Sequence, residues 1–195
     1  MPNLSIRNQV LLGAFLILLL VTTRGHNALS FDLIPASTIG LFFLLGVYFR
    51  KVWVLTLAFA IVWTMDITGM TWTGDTEFCL KDSYLFLLLS YSVYWASGRL
   101  FSHLYTGENL TSLGLLTVIA PVGAALGYLV SSASFHYWSG LFEEDLSQMF
   151  SDYLTRLPAH LEGLAVYLVI AVIAHMVFST WAKRSHHAEN KALPG

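Results

Sequence analysis

The chain has 195 residues, of which 56% are hydrophobic and 11% charged, where a soluble domain carries about 25% charged side chains. That deficit points to a chain solvated largely by lipid, and a formal net charge of -2 supplies no field that would attract nucleic acid. A single cysteine excludes an internal disulfide and a CxxC metal or redox motif.

A spanning helix needs about 20 mostly apolar residues, and six segments meet that pattern. The expected fold is therefore an all-α integral membrane protein with six transmembrane helices. The first covers about 8–23, with Leu16 to Val21 as its most apolar run. Arg7 ahead of it gives a signal-peptide-like start, but no small-x-small cleavage site follows. It is read as a retained span. The second, about 33–49, ends at Arg50-Lys51. The third, about 52–69, ends in Met65-Asp66-Ile67-Thr68-Gly69. A polar stretch from Trp72 to Tyr84 follows and carries Cys79.

The fourth span, about 83–98, is stopped by Gly98-Arg99. The fifth, about 110–131, contains Gly123-Ala-Ala-Leu-Gly127 just after Pro121. That GxxxG permits close helix packing, expected within the bundle rather than between subunits. The sixth covers about 160–182 and is followed by Lys183-Arg184. Between spans five and six lies a long connection, 132–159. There Leu141, Phe142, Leu146, Met149, Phe150, Tyr153 and Leu154 recur at helical spacing. An amphipathic interfacial helix lying over the outer mouth is expected from them. Residues 1–184 thus form one membrane domain, and 185–195 are expected as an unstructured cytoplasmic tail.

Lysine and arginine set the orientation. With six spans both termini share a side. That side holds Arg7, Arg50, Lys51, Arg99, Lys183, Arg184 and Lys191, against Arg24, Lys81 and Arg156 on the other. The termini are expected in the cytoplasm. Acidic residues show the reverse pattern, with Glu108 and Glu189 the two that fall clearly inside. No HExxH, GxSxG or Walker-type motif occurs, so a zinc peptidase, a nucleophile-elbow hydrolase and a nucleotide-driven pump have no support.

The residues with chemical potential gather at the outer side. Asp66 sits inside a span, where an ionisable group costs about 2.5–3.5 kcal/mol on insertion scales and usually faces a cavity or a partner. Tyr84 offers a hydroxyl to a polar ligand edge, although tyrosine is also an ordinary interfacial anchor. A thiolate is the softest ligand and best nucleophile among side chains. One outward thiol with a carboxylate and a tyrosine suits a single coordination bond plus peripheral hydrogen bonds, not a closed tetrahedral site. That donor set fits a metal already held by a macrocycle, either the cobalt of a corrinoid or the iron of a haem.

The stretch Trp63-Thr-Met-Asp66-Ile-Thr-Gly69, followed by Phe78-Cys79-Leu-Lys-Asp-Ser-Tyr84, resembles the BtuM family of bacterial vitamin B12 transporters. Length and six-span layout agree over nearly the whole chain. That family is similar in fold to the S-components of energy-coupling factor transporters. The resemblance implies an S-component-like bundle that captures cobalamin on the periplasmic face of the inner membrane. It implies Cys79 as axial cobalt ligand, with Asp66 and Tyr84 as contacts to the corrin periphery. It further implies removal of the upper cyanide of cyanocobalamin, assigned to Cys79. S-components that dock on the shared coupling module show AxxxA-type patches in the first span. Here Leu11 to Leu20 contains only Gly13-Ala14, without a repeat at i+4, which fits a solitary transporter.

Three other readings stay open from the residues. Cys79 with an outward histidine such as His136 would make a thiol nucleophile pair. Cys79 with His26 or His160 would make a haem or metal carrier. A structural membrane subunit would leave Cys79, Asp66 and Tyr84 free to vary.

Overall fold

A computed structural model describes the backbone of residues 6–23, 38–73, 85–138 and 145–192. Side chains are described for 10–23, 38–68, 85–138 and 145–176. Among the described residues the protein is all-helical, without strands. The helices are α1 (Ile6–Thr23), α2 (Thr38–Tyr48), α3 (Val52–Thr73), α4 (Leu85–Leu104), α5 (Leu110–Trp138) and α6 (Leu146–Ala192). Each expected span falls on one of them. Two stretches, Leu110–Trp138 and Leu146–Met176, are long and apolar enough to cross a membrane.

The central position belongs to α2. It carries no charged residue, and Gly40 through Val47 are buried without interruption. A helix that is apolar on every side needs cover on every side, and α1, α3, α4 and α6 supply it. Phe42 stacks on Tyr91 of α4 with centroids 4.4 Å apart. Leu16, Leu20, Val54, Leu55 and Val62 close the same cluster from α1 and α3. A second cluster joins Phe43 and Val47 to Phe101, Ala120, Ala124 and Leu164.

Glycine sets the tightest contacts. A Cβ at Gly46 would collide with the Trp95 carbonyl oxygen, and one at Gly98 with that of Phe43. The parallel helices α2 and α4 therefore touch backbone to backbone. On the other face of α4, the GxxxG of α5 packs inside the bundle, as expected: Gly123 receives Ser97, and Gly127 receives the Tyr94 ring. Arg99 Nη1 donates to the Gly46 carbonyl at 3.3 Å, so a cation meets the carboxyl end of α2, where the helix dipole favours it. Arg99 lies one residue past the expected fourth span.

The α4–α5 connection is tight. Gly107 adopts φ 128°, a conformation L side chains avoid. Asn109 Oδ1 then caps α5 by accepting from the Ser112 amide at 2.8 Å. This loop fixes Glu108 at the mouth of the bundle.

The outer connection differs from expectation. Residues 146–159 do not form a separate helix; they are the first turns of α6, which continues through Pro158. Asp145 caps that helix, its Oδ1 accepting from the Ser147 amide at 2.8 Å. Met149 and Tyr153 are buried while Leu146, Phe150 and Leu154 are exposed, so the inner edge of the apolar face packs rather than the whole face. Tyr153 donates to the Ala125 carbonyl of α5 at 3.0 Å. Tyr128 of α5 stacks on Tyr153 at 5.3 Å and meets the His160 ring at a tilt, with centroids 3.9 Å apart. One α5 ring thus bridges two α6 residues on either side of Pro158. That clamp offsets the amide hydrogen bond the proline cannot make and keeps the segment against α5. Residues 141 and 142 of the expected face lie outside the described residues.

The tail also differs. Helical backbone continues to Ala192, because elongating an existing helix through Ala188, Glu189, Lys191 and Ala192 avoids the nucleation step.

Candidate functional site

α4 begins at the end of the bundle where α5 finishes, with Phe86 against Trp138; residues 74–84, between α3 and α4, lie outside the described residues. Cys79 and Tyr84 belong to that connection, and His26 also lies outside the described residues. Their flanks are described. Asp66 is half-buried in α3, two turns before the helix ends at Thr73. Its polar neighbours on the same helix turn inward on themselves: Thr64 donates to the Ala60 carbonyl at 2.8 Å and Thr68 to that of Thr64 at 2.9 Å. Both hydroxyls are occupied by their own backbone, which leaves Asp66 as the charged group of this stretch.

On the other flank, Leu85 directly follows Tyr84 and opens α4. Its neighbour Phe86 stacks on Trp138, the last residue of α5, at 4.6 Å. Tyr137 meets both Trp138 and His136 edge-on. Ser134 and His136 are buried beneath them. The start of α4 is thus held against an aromatic and imidazole-bearing wall. Trp138, exposed at this end, presents aromatic surface of the kind a flat ligand packs on.

The candidate histidines separate by position. His136 is buried at this end of the bundle. His160 packs at a tilt against the Tyr128 ring, a packing role that competes with ligation. His175 lies at the opposite end, its Nε2 3.8 Å from Glu108 Oε1. Among the described residues no group of three or more His, Cys, Asp and Glu side chains could hold a metal ion.

That opposite end holds a feature the sequence reading did not single out. A cavity of about 480 Å³ opens between α2, α4, α5 and α6. Its floor is Phe43, Val47, Phe101 and Ser112, all buried. Glu108, Tyr105 and His175 line it too. The signal in the sequence was two ionisable residues at matching depth on neighbouring antiparallel segments, Glu108 before span five and His175 in span six.

In comparisons with known proteins, no protein-family model and no curated protein matches the chain.

Proposed function

We propose that this protein captures cobalamin at the outer face of the bacterial inner membrane and carries it inward, with Cys79 as the axial cobalt ligand. All six helices cross the membrane, and both termini face the cytoplasm. The supporting observation for the membrane setting is exposure. The stretches Leu110–Trp138 and Leu146–Met176 are 22% and 17% buried over their most apolar windows. A core helix of a soluble domain would be covered; these helices present Val118, Val122, Leu126, Val169 and Ile173 outward, as lipid contact requires.

The observation that carries the functional reading is the placement of Asp66. It is a half-buried carboxylate on a helix that carries no other charged residue, the kind of group that within a span usually faces a cavity or a partner. It stands on the helix that leads into the Cys79–Tyr84 segment, and the aromatic wall of Phe86, Tyr137 and Trp138 stands on the other flank. Asp66 and Tyr84 bind the corrin periphery through its amide side chains.

In the chemistry that follows, the Cys79 sulfur bonds cobalt from one axial side. Donation from sulfur weakens the bond to the opposite ligand. Cyanide leaves with its electron pair and takes up the proton released by the thiol, so hydrogen cyanide departs and cobalt remains trivalent. No reductant is consumed. Metal coordination drives the deprotonation of the thiol. Asp75, Glu77 and Asp82 of the same segment disfavour a preformed thiolate.

The test is the visible absorption spectrum of protein purified from cells grown with cyanocobalamin, beside Cys79→Ser. A corrinoid spectrum shifted from that of free cyanocobalamin, with the shift lost in the variant, supports the reading. A colourless protein that also fails to bind added cobalamin overturns it and favours a thiol enzyme using Cys79 and His136.

A further inference from the structure

The turn between α2 and α3 gathers positive charge at one end of the bundle. Arg50 and Lys51 are both exposed there. Arg99 of α4 reaches the same turn, its Nη1 donating to the Gly46 carbonyl at 3.3 Å. It stands near enough to Arg50 for the two charges to repel each other. Among the described residues no carboxylate lies within ion-pair distance of these three cations.

The first turn of α3 adds to that charge. A helix opens on amides that have no acceptor within the helix. Lys51 directly precedes Val52, and its side chain has no acceptor with which to cap them. The first turn carries no acidic residue either. The positive end of a 22-residue helix is therefore left beside Arg50 and Lys51, an arrangement that attracts an anion. Apolar surface adjoins it: α3 exposes Val52, Trp53 and Leu57, and α4 exposes Leu100.

The two surfaces together select an amphiphile with a phosphate head. A guanidinium matches phosphate oxygens in a bidentate fork, and a lysine ammonium adds a point charge. An aminophospholipid would bring its own ammonium against three cations, whereas a phosphodiester with an uncharged headgroup would not. Trp53 has the amphipathic ring that sits at headgroup depth.

We propose that this surface binds an anionic phospholipid, with the phosphodiester on Arg50, Lys51 and Arg99 and the acyl chains along Trp53 and Leu57. The inference rests on the membrane setting proposed above and is independent of cobalamin.

The test is native mass spectrometry of the full chain in a non-ionic detergent, offered phosphatidylglycerol and phosphatidylcholine of identical chains at equal concentration. Wild-type protein should retain phosphatidylglycerol at least about tenfold better. Arg50→Gln and Lys51→Gln should each lower that preference about fivefold. Arg156→Gln, which removes an exposed cation on α6 at the opposite end, should leave it unchanged. Glycerol phosphate, a phosphate without acyl chains, should not displace the lipid. Phosphatidylglycerol retained no better than phosphatidylcholine on wild type overturns the proposal, and this comparison needs no variant to fold. An equal fall in all three variants overturns it too, since overall charge would then account for the binding. Displacement by equimolar glycerol phosphate overturns it in favour of a soluble phosphate. Release of the protein from membranes by alkaline carbonate would overturn the membrane setting as well, whereas retention with no lipid preference would overturn this inference alone.

Discussion

The Ser90 hydroxyl donates to the Gly127 carbonyl at 2.6 Å, and it reaches that oxygen because Gly127 has no side chain to hold α4 away from α5. A Cβ at Gly127 would enter the ring of Tyr94, which is itself buried and has nowhere to move. Gly127→Ala should therefore cost about 1–3 kcal/mol, the usual scale of overpacking. Ser90→Ala should cost less, about 0.6 kcal/mol, the average for a hydrogen bond between membrane helices. Gly114 provides the control, since nothing lies within 4 Å of a Cβ placed there. Gly114→Ala should leave the unfolding midpoint in detergent unchanged or slightly raised. Equal midpoints for Gly114→Ala and Gly127→Ala would contradict the packing described.

The α6 clamp makes a separate prediction. Tyr128 holds Tyr153 and His160 on either side of Pro158, so removing its ring should release the turns before the proline and not those after it. Tyr128→Ala should raise amide exchange across residues 146–157 about tenfold, with residues 164–172 little changed. Tyr153→Phe keeps the stack and loses only the hydrogen bond to Ala125, and should show a smaller effect over the same residues. Exchange that rises evenly along α6 would mean the helix opens as one unit.

Much of the architecture was legible because each long apolar run of the chain falls on a helix. The run ending at Arg50-Lys51 gave a helix end close to the observed Tyr48, whereas α4 continues past Gly98-Arg99 to Leu104; Gly123 with Gly127 announced a close approach that α4 fulfils. The outer connection was misread for a physical reason. Met149 and Tyr153 share helical spacing with Leu146, Phe150 and Leu154, and sequence spacing cannot say which edge of that face meets another helix. The sixth span was placed from about 160, whereas α6 begins at Leu146 and runs through Pro158, with Tyr128 of α5 against Tyr153 and His160 on either side. The Glu108–His175 proximity depends on the register of α5 against α6, which no local pattern encodes. At the candidate site, Asp66 stood out because a charge in an apolar run is conspicuous, while buried His136 resembles any interfacial histidine until its burial is known.

Asp66 and Cys79 should separate binding from ligation. In the proposed reading Asp66 holds the corrin edge and touches no cobalt ligand. Asp66→Asn should weaken cobalamin binding about tenfold, the loss expected when a hydrogen bond to a charged group becomes one to a neutral group. The shifted spectrum of bound cobalamin should persist once the site is saturated. Cys79→Ser should remove the shift even at saturation. If Asp66→Asn erased the spectral shift with binding intact, Asp66 would belong to the chemistry at cobalt, and its assigned role would be wrong.

Orientation has a direct test because Cys79 is the sole cysteine. With six spans and cytoplasmic termini, the α3–α4 connection faces the periplasm and the α4–α5 loop faces the cytoplasm. A membrane-impermeant maleimide added to intact spheroplasts should label Cys79 without lysis. Bound cobalamin should slow that labelling, since a thiolate on cobalt is no longer a free nucleophile. Thr106, exposed in the α4–α5 loop, supplies the opposite reporter. Cys79→Ser combined with Thr106→Cys should label only after the membrane is opened. Labelling of the Thr106 reporter in intact spheroplasts, with Cys79 protected, would invert the topology and place the carboxylate-lined cavity outside. Labelling of both reporters in intact cells would mean that the chain crosses fewer times than six, because two successive connections can share a side only if the helix between them does not span.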